Sequence, residues 1–346
     1  MHMADALLSP AVGSAFWAGS IAAIGYASRK VKEAVDDKMI PLMGVLGAFI
    51  FASQMINFTI PGTGSSGHLG GGMILSILLG PFAAVLVMAS VLTVQAFFFA
   101  DGGLLALGCN IWNLGIYPCF IAFPLVYKPL AGDGKNPKKI LIASLVSAVV
   151  GLQMGAFSVV LQTLLSGKSE LPFGTFALLM QPIHLGIGIV EGFVTAGVIS
   201  YVRSVRPELL ENVTRSRPLG AEVSVKKVVI TFAVLAVITG GALSWFASTR
   251  PDGLEWSMEK VFGRPELPEQ EQGIAPALKG VQEKTAILPD YNFKRPEGDT
   301  KYEAEMPCWP NVEKATSVSG IVGAVSVFSL VVLVGFFVRA IRRRHA

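Results

Sequence analysis

Apolar residues fall in long blocks separated by short polar or basic connectors, over roughly 11–28, 39–60, 69–81, 82–100, 103–127, 139–166, 174–202, 227–248 and 316–340. Most blocks approach the roughly 20 residues with which a helix crosses a bilayer. The pattern therefore predicts an all-α integral membrane protein: a seven-helix bundle followed by two C-terminal transmembrane helices. The third block is short and is parted from the fourth only by Gly80-Pro81, a pair that a helix does not continue through. Arg29-Lys30-Val31-Lys32, the loop 128–139, the loop 203–226 (Arg203, Arg206, Arg215, Arg217) and the tail Arg339, Arg342, Arg343 and Arg344 carry the basic residues that favour the cytoplasmic side. All four share that side only if blocks three and four cross separately and the N-terminus lies outside. The loop 61–68 and the turn Asp101-Gly102-Gly103 then share the outer face with the N-terminus.

Composition agrees: of 346 residues, 52% are hydrophobic and 15% charged, with a mean hydropathy of +0.58. No signal peptide is apparent. The net charge of +4 comes from loops beside apolar blocks and does not make a nucleic-acid surface. Cys109 and Cys119 sit inside an apolar block and no two cysteines have CxxC spacing, which argues against a disulfide or zinc framework. Residues 1–203 form one unit, 204–226 a basic cytoplasmic linker, and 227–346 a second unit. In that second unit two spans flank a polar outer segment, 249–315, expected to be a loosely structured loop.

The candidate chemistry lies on the outer face. The chain starts Met1-His2. A terminal amine, the His2 amide nitrogen and the His2 ring nitrogen nearest the backbone can occupy three corners of a plane. A fourth nitrogen would complete a square that suits Ni(II) or Cu(II) and gives Zn(II) no electronic advantage. His68, within Gly62-Thr63-Gly64-Ser65-Ser66-Gly67-His68-Leu69-Gly70-Gly71-Gly72, is the candidate for that corner. Gln54, Asn57, Asp101, Asn110 and Asn113, near the outer ends of their blocks, are candidates to orient these ligands, as is Asp5. His184 and Glu191, seven apart in one block, share a helix face; on this threading His184 lies too deep to join the outer site. The pair is a candidate for structural pairing or for coupling to a partner. Gly167-Lys168-Ser169 lacks the leading glycine of a phosphate loop, where Gln162 stands. No nucleotide site and no HExxH or GxSxG motif is present.

Met1-His2 with Leu7-Leu8-Ser9-Pro10, Gly67-His68-Leu69-Gly70-Gly71, Leu79-Gly80-Pro81 to Gln95, Phe99-Ala100-Asp101-Gly102-Gly103, Ala106 to Asn110, and His184 through Glu191-Gly192 carry a family resemblance. Over about residues 1–203 the chain resembles the nickel/cobalt substrate-capture (S) subunits of energy-coupling factor (ECF) transporters, the CbiM/NikM family. Pro251 to Glu255 resembles the PDGLE/NikN-type module fused to some of them. The resemblance implies that Met1, His2 and His68 bind Ni(II) or Co(II) as transported substrate, with no bound catalytic cofactor. It implies a transmembrane coupling (T) subunit and cytoplasmic ATPase (A) subunits as partners, in the cytoplasmic (inner) membrane of a bacterium or archaeon. One departure stands out: Met3-Ala4-Asp5-Ala6 replaces the family's usual Ile-Pro-Asp-Gly-like start. Ni(II) uptake is the leading expectation, with Co(II) uptake for cobalamin synthesis as its alternative. From other classes come a membrane-embedded metal-dependent hydrolase, with Asp5 or Asp101 as base, and a purely structural multipass protein. Truncation after residue 226 is expected to leave binding intact and impair transport.

Overall fold

A computed structural model describes residues 2–34, 38–167, 172–214, 224–265, 267, 273–294 and 309–343. Met1, Lys168, Ser169, Arg215, Arg217 and Arg344, singled out above, lie outside the described residues. The helices are α1 (Pro10–Ala34), α2 (Met39–Gln54), α3 (Gly72–Leu79), α4 (Pro81–Phe99), α5 (Leu107–Ala131), α6 (Pro137–Ser166), α7 (Phe173–Val205), α8 (Pro207–Thr214), α9 (Lys226–Gly241), α10 (Gly253–Phe262), α11 (Ala275–Thr285) and α12 (Lys314–Arg343). Two short antiparallel strands, Phe58–Thr59 and Ser66–Gly67, close the loop that carries His68. The fold is all-α, as predicted, and α4, α5, α6, α7 and α12 are long and apolar enough to cross a membrane.

The third predicted block departs from expectation. α3 has eight residues, a length of about 12 Å against a hydrocarbon core of about 30 Å. Gly70, Gly71 and Gly72 delay the helix, and Gly71 takes a left-handed φ of 80° that other residues avoid. The chain instead descends into the bundle as an irregular loop, and residues 65–79 are all buried. α5 winds as a wide π-helix over Trp112–Tyr127, containing Pro118 and Pro124. Each proline lacks an N–H and pushes on the preceding turn, a distortion that the wider winding relieves.

The C-terminal unit packs directly on the first. α9 and α12 cross so closely that a Cβ on Gly320 would lie 2.1 Å from the Gly240 carbonyl oxygen. α12 also lies along α2, where Phe328 and Val332 fill the space over Gly44. Within the polar segment 249–315, expected to be a loosely structured loop, the described residues form α10 and α11. The Asp252 side chain accepts from Leu254 N and Glu255 N, while Glu255 accepts from Asp252 N. That reciprocal pair starts α10.

A candidate metal-capture site

The segment before α1 is docked into the bundle through its backbone. Met3 N donates to Asn110 Oδ1 at 2.9 Å, and Met3 O accepts from Gly103 N at 2.9 Å and from Asn110 Nδ2 at 3.4 Å. Asp5 Oδ1 accepts from Ala106 N at 2.9 Å. The Met3 and Leu8 side chains are fully buried, so apolar burial adds to this grip. Fixing Met3 on one side fixes where His2 can point.

The His68 loop is held by polar side chains from the helices around it. Glu191 accepts from Gly70 N at 2.7 Å and Gly71 N at 3.1 Å. Gln54 Nε2 donates to Gly70 O, and Gln95 Nε2 donates to Gln54 Oε1, both at 2.9 Å. In an apolar surrounding every backbone polar group needs such a partner. His68 Nδ1 donates to Leu69 O at 2.9 Å, which leaves the Nε2 lone pair as the ring's metal-binding atom.

The two predicted imidazoles meet. The rings of His2 and His68 stack with centroids 5.0 Å apart and planes inclined by 14°. His2 Nδ1 lies 3.1 Å from Asp101 Oδ1, and Tyr291 Oη donates to Asp101 Oδ2. Burial alone would raise the Asp101 carboxyl, but His2 and Tyr291 outweigh it and hold the group below the usual carboxylate range. The ring nitrogen expected to chelate is therefore engaged with a carboxylate, while His2 Nε2 is buried with no hydrogen-bond partner. Among the described residues no three His, Cys, Asp or Glu side chains gather as a metal cluster. An ion held here would need donors beyond the two rings, and a terminal amine and an amide could supply them; Met1 itself lies outside the described residues.

The other predicted positions sort by what they touch. Asn110 clamps Met3. Asn113 Nδ2 faces Met3 Sδ at 3.8 Å and pairs with Gln162, whose part the sequence reading missed. Asp5 ties the docked segment to the turn before α5. Asn57 serves the C-terminal unit instead, its carbonyl accepting from Ser248 N at 2.7 Å. His184 is not too deep: it lines a small cavity of about 10 Å³ together with His68, Gly70 and Asp252. The loop's descent, invisible in a count of spans, brings His68 down to that level. His184 Nδ1 donates to Met180 O in its own helix, and Glu191 is a brace for the loop. Tyr291 and Asp252 were also missed. Asp252-x-x-Glu255 was legible as a helix-start signature, whereas nothing near Tyr291 in sequence marks its partner.

Fold and site together define a helical membrane protein with a buried, imidazole-bearing pocket assembled around its own N-terminal segment. The chain belongs to the family described as cobalt uptake substrate-specific transmembrane region, whose model matches residues 2–209, and a PDGLE domain matches residues 226–340. It is 34% identical over 242 residues to a protein of Archaeoglobus fulgidus provisionally named fused nickel transport protein NikMN, covering 69% of this chain and 79% of the relative. It is 29% identical to the cobalt transport protein CbiM of Sorangium cellulosum, covering 61% of this chain and 95% of the relative. A crystal structure of a truncated transition metal transporter superposes with a TM-score of 0.53 at 28% identity, covering 59% of this chain and 99% of the other. The chain is thus a membrane metal-transporter component and not an enzyme. Asp5 and Asp101, the bases that the hydrolase alternative would use, are engaged with Ala106 N and with His2.

Proposed function

We propose that the chain is the substrate-binding component of an ECF-type importer for Ni(II), with Co(II) as the nearest alternative. The reading rests on one observation: the N-terminal segment folds inward and stacks its histidine on that of a distant loop. The proposed ligands are the terminal amine of Met1, the His2 amide and ring nitrogens, and the His68 ring. Turning the His2 ring about Cβ–Cγ frees Nδ1 for the ion and offers Nε2, unpartnered in the structure, to Asp101. A carboxylate behind a ligating histidine fixes the ring and raises its basicity. Loss of the amide proton is offset by a strongly polarising ion in a four-nitrogen field, so geometry sets selectivity. Separate T and A subunits would supply ATP-driven reorientation and release in the cytoplasmic membrane, with the N-terminus outside.

Calorimetric titration of the purified protein with Ni(II), Co(II), Cu(II) and Zn(II), beside His2→Ala and His68→Ala, tests the ligand set. Both variants are expected to lose high-affinity Ni(II) binding. Parent-like binding by both would exclude it, and a visible band of square-planar nickel would favour Ni(II) over Co(II).

A further inference from the structure

The C-terminal unit grips both segments that build the pocket. Its turn Arg250–Gly253 lies on the strand leading to His68, where Ser66 N donates to Pro251 O and Ser66 Oγ to Arg250 O, both at 2.8 Å. Asp252 and Gly253 line the cavity shared by His68 and His184. A Cβ on Gly253 would sit 2.8 Å from Ile183 Cγ2 and 3.2 Å from His184 Cε1, so the absent side chain permits this close approach. The second grip falls on the turn after α4. Gln282 Nε2 donates to Ala96 O at 2.9 Å and to Gly102 O at 2.8 Å. Ile287 N and Leu288 N donate to Phe98 O. The Tyr291 ring stacks on Phe99 at 4.9 Å, which brings its hydroxyl to Asp101.

We propose that the C-terminal unit completes the metal site, with Tyr291 a positioning residue that fixes His2 through Asp101 and the Asp252 turn a wall over His68. The inference rests on the reading of His2 and His68 as ligands. A carboxylate that serves one partner can rotate; Asp101 serves two, one on each oxygen. Tyr291 on Oδ2 therefore sets the direction in which Oδ1 meets the imidazole. The hydroxyl reaches the ion's ligand through one intermediary, from a part of the chain about 190 residues away from Asp101.

The test uses the full-length protein, Ni(II) calorimetry and the position of the visible nickel band. Loss of such an outer partner typically weakens metal affinity by roughly 10- to 100-fold, and that is the expectation for Tyr291→Phe, with a shifted band. Asp101→Asn should behave alike, and the double variant should be no worse than the weaker single, because the two residues act in series. Lys279→Ala, on the exposed face of α11, should match the parent. If Tyr291→Phe does not fold, Gln282→Ala, which loosens the same turn, carries the same expectation. Parent-like affinity and band for Tyr291→Phe, with His2→Ala inactive in binding, would overturn this inference alone. Additive losses in the double variant would overturn the positioning role. Parent-like binding by His2→Ala and His68→Ala would instead remove the ligand reading beneath it.

Discussion

Replacing Gly103 with Ala adds one carbon where the N-terminal segment lies. An ideal Cβ there would fall 1.8 Å from Asp5 Oδ1 and 2.5 Å from Asp5 N. The side-chain oxygen can swing away, but the backbone nitrogen cannot, so the segment must move. Gly103 does not have a left-handed φ, which makes the perturbation purely steric. Ordinary contact needs about 3.5–4.0 Å, a displacement of about 1 Å or more. That shift strains the bonds from Gly103 N to Met3 O, Ala106 N to Asp5 Oδ1 and Met3 N to Asn110 Oδ1. At about 1 kcal/mol each, and more for the charged acceptor, the loss is roughly 3–5 kcal/mol. Such a loss lowers the docking equilibrium constant by about two to three and a half orders of magnitude, at tenfold per 1.4 kcal/mol, and the docked population by less, because the segment starts well docked. Because the ion is proposed to bind the docked form, apparent Ni(II) affinity should fall about tenfold or more. Calorimetry compares the variant with Gly174→Ala, where an added Cβ meets nothing within 4 Å. Parent-like affinity for Gly103→Ala would refute the idea that the docked segment holds the ion.

Other changes probe the loop and the C-terminal unit. Glu191→Ala strands the buried Gly70 and Gly71 amides at about 1–3 kcal/mol each and should lower the thermal midpoint and Ni(II) affinity together; an unchanged midpoint would show that the brace is dispensable. Gly72→Ala would place a Cβ 2.6 Å from Leu114 O and 2.8 Å from Pro118 Cβ, an overpacking of about 1–3 kcal/mol, visible as a lower midpoint in thermal unfolding. Asp252→Asn keeps an acceptor able to start α10 but removes the charge beside His68, so nickel should dissociate faster in stopped flow at equal folded yield; an equal rate would confine Asp252 to its capping role. Truncation after residue 226 removes both grips and should weaken Ni(II) binding more than Tyr291→Phe does, in contrast with the expectation from sequence. Unchanged binding would return the C-terminal unit to a role in transport alone.

The apolar blocks made the helices legible because each long run matches a membrane thickness, and Gly80-Pro81 marked a break that the structure keeps between α3 and α4. The meeting of His2 with His68 was legible for a chemical reason, the chelating arrangement available at position two. The basic loops put the two on one face only if the third block crosses, which α3 is too short to do. The third block's brevity was legible, but not that its first residues form a descending loop, since hydropathy scores Leu69 to Leu79 alike in either state. That is why His184 was assigned too great a depth. The Tyr291–Asp101 contact and the Ser66–Pro251 bond join positions about 190 and 185 residues apart. No local pattern encodes such pairs; they depend on how α9 and α12 pack on α2.

The polar residues inside the apolar helices follow one physical rule. Two stretches near the pocket, residues 2–9 and 60–71, leave backbone groups without regular helical partners inside a low-dielectric bundle. Each unpaired group there would be costly. Asn110 answers Met3, Glu191 answers Gly70 and Gly71, Gln54 answers Gly70, and Gln95 and Gln162 steady Gln54 and Asn113 in turn. From sequence, Gln54, Asn110 and Asn113 are candidates to orient metal ligands and Glu191 a candidate for structural pairing or coupling. Their purpose is one step removed: they allow irregular chain to exist at this depth, and the irregular chain brings the two imidazoles together.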